Sequence, residues 1–123
     1  MIVMLLAQLD EVVDRLIDED PEPYGRFTRA YIEITLEKQI MGLQQSWSAI
    51  SMTMLTDKTF NEFWIEWMNS RVERHHQTDS DIELKIVRYA ADGIWLTAFT
   101  EVEDESETQL LKQELIARTY RTK

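Results

Sequence analysis

Along residues 1–18 the apolar positions Ile2, Leu5, Leu6, Leu9, Val12, Val13, Leu16 and Ile17 recur every three or four residues, with Asp10, Glu11, Asp14 and Arg15 opposite. That spacing predicts an amphipathic helix. The run Asp18-Glu19-Asp20-Pro21-Glu22-Pro23 ends it, and one of the prolines can occupy the first position of the next helix. Tyr24, Phe27, Tyr31 and Ile34 then form a buried stripe. A third helix is read from Ile40, Leu43, Trp47, Ile50 and Met54, with Ser46, Ser48 and Ser51 opposite, although its start near residues 37–40 is weakly marked because Gly42 does not clearly interrupt the pattern. Thr56 or Asp57 caps a fourth helix carrying Phe60, Phe63, Trp64, Trp67 and Met68, which turns polar over residues 71–77.

Thr78-Asp79-Ser80 opens a fifth helix, where Ser80 and Glu83 have the spacing of a capping box. Ser106 and Gln109 repeat that spacing at a sixth, whose apolar side is Leu110, Leu111, Leu115 and Ile116. Between them lies the acidic turn Glu101-Val102-Glu103-Asp104-Glu105. No alternating strand pattern, glycine-rich loop or internal repeat competes with an all-α reading of about six helices.

The C-terminal half of the fifth helix is apolar on nearly every side and interrupted by Ala90, Ala91, Gly93 and Ala98. A helix apolar all round is buried all round, and a chain of 123 residues has few other elements to enclose it. Glycine inside a helix costs roughly 1 kcal/mol relative to alanine, so Gly93 marks a place where another backbone passes close by. Both features point to a second subunit, with Ile86, Tyr89, Ala90, Gly93, Ile94, Leu111 and Leu115 as the expected interface.

Length and charge narrow the function classes. A chain of 123 residues is one domain by the usual prior and can bury roughly two-thirds of its unfolded surface. With no cysteine, disulfides and thiolate chemistry are excluded, which fits a cytoplasmic setting. The N-terminal apolar run is short, lacks a basic start and turns acidic at helical spacing, so a signal peptide and a membrane span are not expected. A net charge of -10 repels phosphate backbones, which argues against direct nucleic-acid binding by this chain.

Candidate chemistry is sparse. Glu73-Arg74-His75-His76 contains one Glu-x-x-His spacing, whereas di-iron bundles need two, and a surface histidine pair at a helix end accounts for it. Glu33 with Glu37, and Glu62 with Glu66, stand one turn apart as solvated helix faces routinely do. No metal, cofactor or enzymatic activity is expected, and a metal-dependent helical bundle at Glu73 and His76 is the remote catalytic alternative. The aromatic and methionine content of the second to fourth helices is more informative, because large adaptable side chains build apolar pockets between helices. Tyr31, Trp47, Met54, Trp64, Trp67 and Met68 are the expected ligand-binding residues, with Arg26, Arg29 or a glutamate as a polar anchor.

The segment of residues 79–95, read as a polar cap, then Ile82, Ile86, Val87 and Arg88, then Ala90-Ala91-Asp92-Gly93-Ile94-Trp95, resembles the penultimate helix of the C-terminal domain of TetR/AcrR-type transcriptional regulators. The helix order agrees over essentially the whole chain, with the Asp20-Pro-x-Pro-Tyr24 turn and a Trp-rich helix before the last two. The resemblance implies a single all-helical regulatory domain over residues 1–123 that homodimerises by a four-helix contact of its last two helices. It also implies a cavity for a small, largely apolar ligand of unspecified identity. Family members bind DNA through an N-terminal helix-turn-helix head, which these residues do not supply, so DNA contact is expected only through a domain missing from this chain. The alternative is a stand-alone helical interaction module, an anti-regulator that dimerises without ligand.

Overall fold

A computed structural model describes residues 2–36, 56–100 and 105–120. The described helices are α1 (Ile2–Glu19), α2 (Arg26–Leu36), α3 (Lys58–Arg74), the single turn α4 (His76–Asp79), α5 (Ile82–Thr100) and α6 (Glu105–Ala117), with no strand among the described residues. The helix expected around Ile40 to Met54 lies outside the described residues, and so do the pocket candidates Trp47 and Met54.

The centre of the fold is α2, which packs against α1, α4, α5 and α6. Phe27, Thr28, Arg29, Ala30, Tyr31, Ile32, Ile34 and Leu36 are all buried. Around it lie Leu6, Leu9, Val12, Val13 and Ile17 of α1, Trp67 of α3, Val87 and Ala91 of α5, and Leu115 of α6. The expectation that α5 is the enclosed helix is therefore corrected within this chain. Its inner side, with Leu84, Val87 and Ala91, packs on α2, while Ile82, Ile86 and Tyr89 face outward.

α2 can be enclosed because its polar positions are matched by remote partners. It starts at Arg26 rather than at a proline, so Pro21 and Pro23 belong to the linker, which is folded by Asp20 Oδ1 accepting from Glu22 N (3.0 Å) and Glu22 Oε1 accepting from Tyr24 N (3.2 Å). Gly25, with φ 78°, turns the chain into the helix, and its carbonyl accepts from Arg29 N at 2.8 Å. A Cβ at Gly25 would meet Thr119 O at 2.6 Å, so both the dihedral and the space demand glycine.

The other caps fall close to the sequence signals. Asp57 caps α3, accepting from Thr59 N (2.9 Å) and Phe60 N (3.2 Å). Ser80 closes α4, and the carbonyl of Asp81 takes the first bonds of α5, one residue beyond the expected capping box. α6 begins at Glu105, which puts Ser106 inside the helix instead of at its cap.

Candidate functional site

One aromatic row runs from α2 to α3. The rings of Phe27 and Tyr31 are 6.3 Å apart, those of Tyr31 and Trp64 6.4 Å, and those of Trp64 and Trp67 5.1 Å. The structure thus brings together Tyr31, Trp64 and Trp67 of the expected pocket, and places half-buried Met68 on the same core. Phe63 of the expected α3 stripe is exposed instead. A separate open groove of about 540 Å³ runs along α3 past Glu62, Ile65, Glu66, Asn69, Ser70 and Glu73. Its carboxylates set it apart from the aromatic row, and it contains none of the expected ligand residues.

The row ends in a polar pair. Tyr31 Oη donates a short hydrogen bond to Asp92 Oδ1, and the Thr35 side chain also hydrogen-bonds the phenol. Burial first, then the charge and hydrogen bond of Asp92, push the Tyr31 phenol far above its ordinary range. Desolvation also raises Asp92 above the usual carboxylate range, although the Tyr31 hydrogen bond and the charge of Arg88 oppose it and the residue keeps a side toward water.

Three buried polar clusters hold the surrounding helices in register. Asp79, 1% exposed, caps α2 from a distance: its carboxylate accepts from Phe27 N (3.4 Å), Thr28 N (2.8 Å), Thr28 Oγ1 (2.7 Å) and Thr78 Oγ1 (2.7 Å). Arg88 donates to Thr28 Oγ1 (2.8 Å) and to the Asp79 carbonyl (3.3 Å), tying α5 to the same point. Arg29 forks onto Asp20 at 2.7 and 3.2 Å, reaches Glu22 O and Thr119, and lies 4.3 Å from the centroid of Tyr120. With its donors so occupied, Arg29 is a fastener of the chain's end and no ligand anchor. Burial raises Asp20, but the Arg29 hydrogen bond, the Glu22 N–H and the charges of Arg29 and Arg26 outweigh it and hold the carboxyl below its usual range.

The third cluster joins α1 to α3. Asp10 Oδ1 accepts from Trp67 Nε1 (2.8 Å), Arg71 Nε (2.9 Å) and Arg71 Nη2 (2.6 Å), while Arg71 Nη1 donates to Asp14 at 2.8 Å. Arg71, read from the sequence as part of a polar helix end, is 1% exposed. Its Nη1 also lies 3.3 Å from His75 Nε2, which can accept as the neutral ring, and that ring stacks on Phe27 at 4.9 Å. Burial and then the charge of Arg71 lower His75 below the ordinary imidazole range. The expected surface histidine pair is thus half corrected: His76 is exposed and His75 is packed. No group of three metal-binding side chains occurs among the described residues.

The expected interface residues divide. Ile86, Tyr89, Gly93 and Leu111 are exposed, Ala90 and Ile94 pack partly on the core, and Leu115 is buried within its own subunit. A Cβ built on Gly93 meets nothing within 4 Å, so no backbone of this chain accounts for that glycine.

The family model described as tetracyclin repressor-like, C-terminal domain, matches residues 25–120, from the glycine that opens α2 to the tyrosine over Arg29. The chain belongs to this family. No curated protein and no solved structure matches it. Of the described helices, only α1 precedes the matched region of this TetR-like regulatory domain. Among the described residues no helix is long and apolar enough to cross a membrane.

Sequence reasoning missed Asp79, Gly25, Arg71 and the Tyr31–Asp92 pair. Two signals were available: Pro23-Tyr24-Gly25 is turn chemistry, and no Ser, Thr, Asp or Asn stands directly before Arg26 to cap α2.

Proposed function

We propose that this TetR-like domain is a single cytoplasmic regulatory unit that homodimerises through α5 and α6. We further propose that it senses a small, largely apolar ligand beside Tyr31, Trp64, Trp67 and Met68, with Trp47 and Met54 completing the set. DNA binding, in this reading, belongs to a head domain outside these 123 residues, and no catalysis is involved.

The observation that carries the proposal is the apolar strip on the outer side of the last two helices. Ile86 is 58% exposed, Tyr89 64% and Leu110 62%, with Ile82, Gly93 and Leu111 alongside. On α5 the positions 82, 86, 89 and 93 follow helical spacing on the side away from α2. Monomeric proteins rarely leave a contiguous strip of this kind in water, and two copies related by a two-fold axis would cover it as a four-helix contact. The aromatic row supports the ligand site, since large rings with a single polar end are the usual lining of such sites.

Native mass spectrometry of gently purified protein tests both parts. The expected species is a dimer of the 14.6 kDa chain, with Gly93→Arg shifting it to monomer while far-UV circular dichroism is unchanged. A monomer at micromolar concentration, unaffected by that substitution, refutes the dimer. A dimer formed only with a second regulator, detected by co-purification, would favour the interaction-module reading instead.

A further inference from the structure

We infer that the polar end of this site accepts a cation, so that its ligand carries one positive charge on an apolar or aromatic body, seated with the charge at Asp92 and the body toward Tyr31 and Trp64. The inference rests on the reading of the aromatic row as the ligand site and adds the chemical class.

The hydrogen-bonding inventory of the row's polar end excludes the other classes. The Tyr31 hydroxyl proton is committed to Asp92 Oδ1. Arg88, the cation whose field reaches Asp92, spends Nη1 on Thr28 Oγ1 and the Asp79 carbonyl and sits 6.0 Å from the Phe27 ring centroid. Arg71 is buried on Asp10 and Asp14, and Arg29 on Asp20 and Thr119. Among the described residues no side-chain cation is in ion-pair contact with Asp92. The open function at this end is therefore the second carboxylate oxygen of Asp92, which accepts and cannot donate. An anion or a carbonyl finds repulsion there, whereas a cation finds a carboxylate together with the electron-rich faces of Tyr31 and Trp64.

Geometry also keeps Asp92 apart from the exposed strip. It lies about 100° around α5 from Ala91, which faces α2, and a similar angle from Gly93. Its hydrogen bond to Tyr31 holds it on the flank toward the aromatic row. The net charge of -10 raises the local concentration of cations around the whole molecule, which assists their arrival without selecting a site.

The test uses three probes of similar shape: phenyltrimethylammonium, its uncharged carbon isostere tert-butylbenzene, and benzenesulfonate. Each is titrated into the full chain at fixed ionic strength and followed by tryptophan fluorescence and calorimetry. The cation is expected to bind at least tenfold more tightly than its isostere. Asp92→Asn, which keeps an acceptor for Tyr31, should cut that preference to within about twofold while leaving tert-butylbenzene unchanged, and Asp92→Glu should retain it. A cation preference that survives Asp92→Asn comes from diffuse surface charge and overturns the inference. Equal binding of the three, or strongest binding of the sulfonate, also overturns it, and if Trp64→Leu then abolishes that binding, the aromatic site stands without the cation. Binding of none at millimolar concentration overturns the site and its ligand class together.

Discussion

Removing the carboxylate of Asp79 should come close to unfolding the domain. In Asp79→Ala, the Phe27 and Thr28 N–H groups lose their acceptor at the entry to the central helix, and the hydroxyls of Thr28 and Thr78 lose theirs. Loss of an N-terminal cap alone costs about 0.5–2 kcal/mol. Arg88 is also left without the nearby negative charge, and breaking a buried charge pair costs about 3–5 kcal/mol. Because Arg88 reaches the carboxylate only through Thr28 Oγ1, the lower end applies, and the sum is about 3–4 kcal/mol. Asp79→Asn keeps one acceptor oxygen and should cost about 1–2 kcal/mol. Total stabilities of about 5–15 kcal/mol are usual, so the alanine variant loses a large share. Urea and thermal unfolding at one protein concentration, followed by far-UV circular dichroism, measure this, with about 3–5 °C in Tm expected per kcal/mol. In a double-mutant cycle, Asp79→Ala and Thr28→Val should fall short of additivity by about 1 kcal/mol or more. An alanine variant within about 1 kcal/mol of wild type, or additive single effects, would refute the cap-in-trans account.

Gly25→Ala should destabilise by more than about 2 kcal/mol, because it combines a left-handed dihedral with a 2.6 Å clash at Thr119 O; chemical denaturation checks it. Gly93→Ala meets open space and should raise helix stability by up to about 1 kcal/mol in a subunit kept monomeric by dilution. The Arg71 cluster should respond asymmetrically: Asp10→Ala strands a buried guanidinium and costs about 3 kcal/mol, whereas Arg71→Met leaves two carboxylates that water can reach and costs less, which paired melts will show. Acidification should weaken the fold through His75. Both states are neutral there well above pH ~6.5; as pH falls through that value the unfolded chain takes up a proton that the folded chain resists, so stability drops until the lowered folded value is passed. His75→Phe should keep the ring on Phe27 and flatten that part of the pH profile; an unchanged slope would contradict it.

The aromatic row shows how far a candidate site can be read from periodicity. Tyr31, Trp64 and Trp67 were legible because each sits on an apolar stripe, and packing stripes together brings their largest side chains into contact. Asp92 was not legible as their partner, since 61 positions separate it from Tyr31 and an acidic residue on a helix ordinarily faces water. His75 and Arg71 were read as a polar helix end for the same reason. Their roles follow from α1 and α2 passing beside that end, which brings in Asp10, Asp14 and Phe27.

What the sequence by itself determined was the all-helical class, the caps within a residue or so, and the apolar strip on α5 and α6, because each depends on neighbours three or four residues apart. Which helix is central was decided only by the tertiary structure. RFTRAYIEITL reads as a helix with one polar side, and α5 reads as the one to be enclosed, yet α2 is surrounded and α5 is left half bare. The physical reason is that a polar group can be buried when its hydrogen bonds are met, and the acceptors for Thr28 and Arg29, Asp79 on α4, Asp20 in the linker and Thr119 after α6, reach them only once the chain has folded.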